Sequence, residues 1–333
     1  LLVTANETDL GEDGAARSHV MIYERTQAPA AYPMILSAND DAGLPIGWGA
    51  LSGLFADPAK PGTLYAVSDS FYRNAPAIFT VDAGKTPAQI TAKTIVTRDG
   101  AAAQKLDIEG ITGDGDGGFW LANEGDAAKL VPHALLHVDG EGAIKEEIGL
   151  PVELLAGQTR FGLEGVTAIG DGDDRTLVMA VQREWKDDPK GEVKLLAYKP
   201  KSKQWAAVRY PLDKPEGGWM GLSEITAHDG KLYVIERDNL IDNLARTKKL
   251  YAVALDAFRP APLDGDLPVV EKTLVRDLLP DLKAATNGYV LDKVEGFAID
   301  PEGNAFVVTD NDGVDDSSGE TLFLRLGNIA AVN

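Results

Sequence analysis

Short apolar runs alternate along the chain with turns rich in Gly, Asp and Pro, and the runs recur in the same order five times. Each round opens on a related motif: LSGL at 51–54, IEGIT at 108–112, LEGVT at 163–167, LSEIT at 222–226 and VEGFA at 294–298. After a turn comes a second run: LYAVSDS from 64, FWLANEGD from 119, LVMAVQRE from 177, LYVIERDN from 232 and AFVVTDND from 305. A third run follows in every round (AIFTVDAG, ALLHVDGEG, VKLLAYKP, KKLYAVALD, TLFLRLG), and a fourth in the first four (ITAKTIV, AIKEEIGL, WAAVRYPL, VVEKTLV). Short alternating runs bounded by turn residues read as strands, and helical periodicity of any length is missing. Four strands in each repeat of about 55–60 residues predict an all-β fold, a β-propeller with one antiparallel meander per blade.

The N-terminal region holds three further apolar runs, LLVTAN, HVMIYER and YPMILSA, and VTANETD aligns with WLANEGD. A sixth blade is therefore expected from residues 1–47, closed by pairing of the N- and C-terminal segments, with 48–333 supplying the five explicit blades of one propeller domain. The inner strand of that sixth blade lies either upstream of Leu1 or in the C-terminal tail. The abrupt apolar opening without a start Met predicts that a leader or a longer N-terminal portion has been removed.

In an antiparallel meander the start of strand one and the end of strand two share an edge, so both face one mouth of the central channel. The first column reads Ser52, Glu109, Glu164, Ser223, Glu295; the second reads Asp69, Glu124, Arg183, Arg237, Asp310, with Glu7 from the N-terminal run. Asp126, Glu236 and Asp312 are expected on the same rim. Carboxylates so close cannot all ionise unopposed: each must share a proton, meet a cation or ligate a metal. Oxygen donors without Cys, and without His in either column, favour calcium, with magnesium as the alternative. A residue that recurs in every blade also serves the blade's own hydrogen bonding, so breaks in the repeat are more informative. Two stand out: Arg183 and Arg237 replace the strand-two acid, and in blade four the acid moves one place to Glu224, which in a strand re-aims the side chain.

Charge and composition narrow the partners. A formal net charge of -20 over 333 residues argues against nucleic acid and anionic membranes, and the 44% hydrophobic content suits a folded core. No run reaches the length of a membrane helix. The chain has no Cys, which excludes disulfides and thiolate metal sites. The four histidines, His19, His133, His137 and His228, form no ligand motif, and His133 and His137 read as packing or surface residues. DNDGVDDSSGE at 310–320 departs from the EF-hand spacing, no serine occupies a nucleophile elbow, and GDGDGG at 113–118 and GDGDD at 170–174 read as turns at the opposite mouth.

GALSGL, DIEGIT, ANEGD, RFGLEGVT, GLSEIT, VIERDN, DKVEGFAID and VVTDNDG, spread from about residue 48 to 326, together resemble the phytase-like family described as having esterase-like activity of phytase. The resemblance implies a secreted or periplasmic bacterial propeller grouped with phosphatases. It places the family's acidic and Arg positions on Glu109, Glu124, Glu164, Glu224, Glu236, Arg237, Glu295 and Asp310. The opening VTANETD is also similar to an ANEGD motif of a related propeller group, with Thr8 in place of Gly.

The expected activity is metal-dependent hydrolysis of ester bonds, phosphoric monoesters first, on a small anionic substrate and by a monomer. Glu109, Glu164, Glu224, Glu295, Asp69 and Asp312 are the expected metal ligands. Glu124, Glu236 and Asp310 would be ligands or the general base, and Arg183 and Arg237 would orient the substrate. Two other readings fit the same residues: a calcium-dependent lactonase or carboxylesterase, and a binding propeller without catalysis.

Overall fold

The structure, a computed structural model, describes residues 1–6, 18–24, 34–72, 75–311 and 321–331. Chain order begins with a hairpin of β1 (Leu2–Asn6) and β2 (His19–Tyr23), followed by the short β3 (Ile35–Ser37). Blade one comprises β4 (Leu51–Ala56), β5 (Thr63–Ser68), β6 (Ala77–Asp82) and β7 (Ala88–Ile95). A minor hairpin, β8 (Thr97–Arg98) and β9 (Ala101–Ala102), leads to blade two: β10 (Ile108–Gly113), β11 (Phe119–Asn123), β12 (Ala134–Val138) and β13 (Ile144–Gly149).

After the one-turn helix α1 (Val152–Leu155), blade three runs β14 (Leu163–Ile169), β15 (Thr176–Val181), β16 (Glu192–Lys199) and β17 (Gln204–Pro211). Blade four is β18 (Met220–His228), β19 (Lys231–Asp238), β20 (Lys248–Ala254) and β21 (Thr273–Asp277). Helix α2 (Leu279–Thr286) connects it to blade five, whose described strands are β22 (Val294–Ile299), β23 (Asn304–Thr309) and β24 (Phe323–Asn328). Each blade is an antiparallel meander in chain order, with strand one innermost.

The inner strands β4, β10, β14, β18 and β22 adjoin one another in turn, and β22 adjoins β4. The propeller therefore closes on five blades, not the six expected from the apolar runs. Two observations leave no place for another blade. A Cβ on Gly296 of β22 would collide with the Ser52 carbonyl of β4, and one apolar cluster joins Leu51, Leu64 and Phe79 of blade one to Phe306 and Val308 of blade five. Ala50 N–H also donates to Asn311 Oδ1 across this junction, at 2.8 Å. Among the described residues the buried apolar side chains form five clusters, each between two neighbouring blades.

The N-terminal runs go elsewhere. The hairpin β1–β2 is a separate two-stranded sheet with Leu2, Val3, Val20 and Ile22 exposed, while β3 adds in parallel to β7 at the outer edge of blade one. Apolar alternation found these strands, but it carries no information about which sheet they join. Among the described residues no helix is long and apolar enough to cross a membrane.

Candidate functional site

A β-bulge in every blade explains how a charged side chain can sit in an apolar strand. On β10 the ladder pairs Ile108 with Asn123 and Gly110 with Ala122, so Glu109 is the extra, unpaired residue. The same shift falls at Ser52–Gly53, Glu164–Gly165, Ser223 and Glu295. A bulge re-aims one side chain without breaking the strand, so the apolar neighbours stay buried while the motif Glu or Ser points to the channel. The Gly that follows lets inner strands touch: a Cβ on Gly53 would lie 2.7 Å from the Glu109 carbonyl oxygen, and one on Gly110 would lie 2.5 Å from that of Glu164.

Blades one to three gather carboxylates. Asp107, Glu109 and Glu124, all half-buried, each present an oxygen within 4.8 Å of the others. Ser52 Oγ donates to Glu109 Oε2. Glu124 Oε1 accepts from the Gly162 N–H at 2.9 Å and lies in hydrogen-bond contact with Glu164, whose Oε1 accepts from Gln182 Nε2 at 2.6 Å. Asp69 adds to the negative potential while its Oδ1 accepts from the Phe71 N–H at 2.7 Å.

Burial, then the charges of Asp107, Glu164, Asp69 and Glu124, pushes the Glu109 carboxyl well above the ordinary range. Burial and Asp107 push Glu124 up to about 8. Glu164 is raised by burial, then Glu124 and Glu295, against the pull of Arg237 and Lys293. The shifts favour the protonated forms of Glu109, Glu124 and Glu164 unless a cation takes the protons' place.

Blades three to five supply the cations, in two different states. Arg237 is 2% exposed and fully engaged: Nε donates to Ser223 Oγ at 2.8 Å, Nη2 to Glu295 Oε1 at 2.5 Å and Nη1 to Asp292 Oδ1 at 3.2 Å. Burial works against its charge, but Glu295, Asp292 and Glu164 outweigh it and raise its pKa. Arg183, half-buried, forms no ion pair among the described residues. Its guanidinium lies 4.3 Å from the Phe161 ring centre and 4.5 Å from that of Trp219, and its buried Nε has no hydrogen-bond partner. Burial lowers its pKa, with Arg160 beside it adding to the effect against Glu184. Exposed Arg160 stacks on Phe161 from 4.8 Å.

Other expected site residues lie apart. Glu224 stands where other blades have the bulge Gly, and its carboxylate accepts from the N–H groups of Leu54 at 3.0 Å, Ile225 at 2.9 Å and Phe297. It thus ties inner strands of blades one, four and five together in the channel, and its pKa is raised by burial in spite of these donors. Glu236, expected on the rim, is turned the other way because neighbouring residues of a strand alternate. It is fully buried, with Oε1 accepting from Asp213 N–H at 2.5 Å and Oε2 from Lys272 Nζ at 2.5 Å. Asp126 faces Lys129 at 3.4 Å. Asp310, 5% exposed, meets Lys293 Nζ at 3.3 Å. Glu295 is at the mouth, with Oε1 on Arg237 and Oε2 buried without a hydrogen-bond partner. Glu7 and Asp312 lie outside the described residues.

Sequence reasoning passed over Asp107. It precedes β10, its N–H donates to Asn123 Oδ1 at 2.8 Å, and its Oδ1 accepts from Ser70 N–H at 2.8 Å. The signal was present in the Asp-x-Glu spacing, since residues two apart on extended chain point the same way. An all-oxygen donor set of three half-buried carboxylates, two of them raised in pKa, fits a hard divalent cation.

A family model described as phytase-like, esterase-like activity of phytase, matches residues 46–313. A search of curated protein sequences gives no match. Among solved structures, an exo-β-1,3-galactanase from Phanerochaete chrysosporium is similar with a TM-score of 0.49 and 12% identity, over 87% of this chain and 62% of that one. An α-L-arabinofuranosidase from Lactobacillus brevis gives 0.46 and 14%, over 88% and 92%, and an endo-arabinanase from Bacillus licheniformis gives 0.39 and 10%, over 84% and 95%.

Proposed function

The chain belongs to the phytase-like family described by esterase-like activity of phytase, and from that premise we propose that it is a calcium-dependent hydrolase of phosphate esters acting at the acidic mouth. One observation carries this reading. Among the described residues Asp107, Glu109 and Glu124 converge with no ion pair to any of the three, while at the same mouth the Arg183 guanidinium rests against the Phe161 and Trp219 rings and forms no ion pair either.

Asp107, Glu109 and Glu124 would hold the cation, with Glu164 beside them. A calcium ion there would supply Lewis-acid polarisation of an ester oxygen and cancel the repulsion that an anionic substrate meets. Arg183 offers its guanidinium to the phosphoryl oxygens, and its contacts with the Phe161 and Trp219 rings hold it at the mouth. Arg160 extends the positive edge. Arg237 acts indirectly: paired with Glu295, it keeps that carboxylate from joining the acid cluster. Glu164, raised in pKa and hydrogen-bonded to Gln182 and Glu124, can hold or release a proton next to the reacting group. A periplasmic or extracellular setting, where calcium is abundant, suits this chemistry.

Metal analysis of the purified protein, with paired phosphatase and carboxylesterase assays in calcium and in chelator, tests the reading. Phosphomonoester turnover lost in chelator and restored by calcium supports it. Calcium-dependent turnover confined to neutral esters points to a lactonase or carboxylesterase, calcium binding without any turnover to a binding propeller, and activity that survives the chelator in metal-free protein removes the proposal.

A further inference from the structure

The channel has a second mouth, and Glu224 marks the division between them. Beyond its carboxylate lies a cavity of about 620 Å³, within the size range of small-molecule sites. The floor is apolar, made by Leu54, Ile111 and Val166, which follow the bulges of β4, β10 and β14. One wall is aromatic: Phe55 stacks on Tyr65 with ring centres 6.2 Å apart, and Tyr65 meets Phe119 edge-on at 4.8 Å. All three rings are half-buried and line the cavity.

Blade two is cut away for side chains of both its neighbours. A Cβ on Gly113 would lie 2.8 Å from the Phe55 ring of blade one, and a Cβ on Gly115 would collide with the guanidinium of Arg175 of blade three. Gly115 also has φ +86°, in the left-handed region, so the turn it occupies is built around a glycine. Arg175, held there at the cavity wall, forms no ion pair among the described residues, and its buried Nε has no hydrogen-bond partner. Asp57 across the cavity is already engaged, accepting from Tyr65 Oη–H at 3.2 Å and Ala59 N–H at 2.9 Å.

Charge decides what kind of ring fits. The turns that frame this mouth carry Asp114, Asp116, Asp171, Asp173 and Asp174 on a chain of net charge -20, so one guanidinium does not make the cavity attractive to a free anion. A neutral polyhydroxylated ring meets no such barrier. Its C–H face suits the aromatic wall, and its hydroxyls, each both donor and acceptor, can use Arg175 as donor and Asp171 and His228 at the lining. We propose that this mouth binds a neutral saccharide, in a site separate from the acidic mouth and independent of the hydrolase reading.

The test is a calorimetric titration of the full chain with cellobiose, maltose and lactose, using glucose 6-phosphate and glucuronate as charged controls. The expected result is saturable binding of at least one neutral disaccharide, weakened by about tenfold or more in Arg175→Gln and in Phe119→Leu. Thermal melts and calcium titration of both variants should match the parent chain; if Phe119→Leu does not fold, Arg175→Gln at its half-exposed position decides alone. The proposal is overturned if none of the three disaccharides binds, if binding is undiminished by the substitutions, or if the charged sugars bind as tightly as the neutral ones. None of these outcomes bears on ester hydrolysis at the other mouth.

Discussion

The bulge glutamates of blades two and three share a motif with that of blade five, yet their surroundings are opposite. Glu109 and Glu164 face other carboxylates: Asp107, Glu124 and each other. Glu295 faces Arg237, which also spans Ser223 and Asp292. The bulge only aims the side chain. What it meets is set by the residue that ends strand two, Glu124 in blade two and Arg237 in blade four, so one repeated motif yields a closed ion pair on one side of the channel and an acid cluster of raised pKa on the other.

The largest expected effect separates the two sides by stability. Arg237→Met leaves Glu295 buried without its cation and should cost about 3–5 kcal/mol in denaturant unfolding. Glu109→Gln in calcium-free protein puts a neutral side chain of the same shape in place of a carboxyl whose ionised form is disfavoured, and should leave stability unchanged or raised. Equal losses in the two variants would mean that the two sides do not differ as described.

Glu224 sharpens the comparison, because it is a third kind of carboxylate, held by backbone N–H groups. Glu224→Ala strands the Leu54 and Ile225 donors and should cost about 1–3 kcal/mol for each that finds no water. Glu224→Gln, which keeps an acceptor oxygen, should cost less. Calcium affinity should stay at the parent value in both, and a loss of it would return Glu224 to the ligand set.

Arg183 should show the reverse pattern. Arg183→Ala is expected to lower kcat/KM for a phosphomonoester by about tenfold while changing the melting temperature little, since the guanidinium has no ion pair to lose. Steady-state kinetics beside a melt separates this outcome from a structural one.

The smallest effect is in pH. Glu124 is raised to about 8 without a metal, so folding favours its protonated form. Its contribution to stability is therefore present at acid pH and lost as pH rises through about 8, and calcium-free protein should melt at lower temperature at pH 8 than at pH 5. Calcium, binding the ionised form, should tighten over the same interval, and a flat dependence would detach Glu124 from the site.

Much of this architecture was legible in the sequence. Alternation and the repeated motif located the explicit blades strand by strand, from LSGL to TLFLRLG, and aligned Glu109, Glu164 and Glu295, which all fall on the bulge of an inner strand. Closure was not legible, because β1, β2 and β3 alternate as blade strands do, and it is the junction of β22 with β4, Gly296 against Ser52 within it, that shows the ring is already complete. Glu236 was misplaced for a similar reason: a column of strand ends cannot separate adjacent residues, and its neighbour Arg237 took the channel side. The free state of Arg183 and the engaged state of Arg237 depend on Phe161, Trp219, Glu295 and Asp292, which come from three different blades.

The most direct test of the central claim is calorimetric titration of calcium into the chelator-stripped protein, run beside Glu109→Gln. The account predicts saturable binding to the parent protein with release of protons near neutral pH, and loss of that binding in the variant. Absence of calcium binding to the parent, or binding of equal strength in Glu109→Gln, would contradict it.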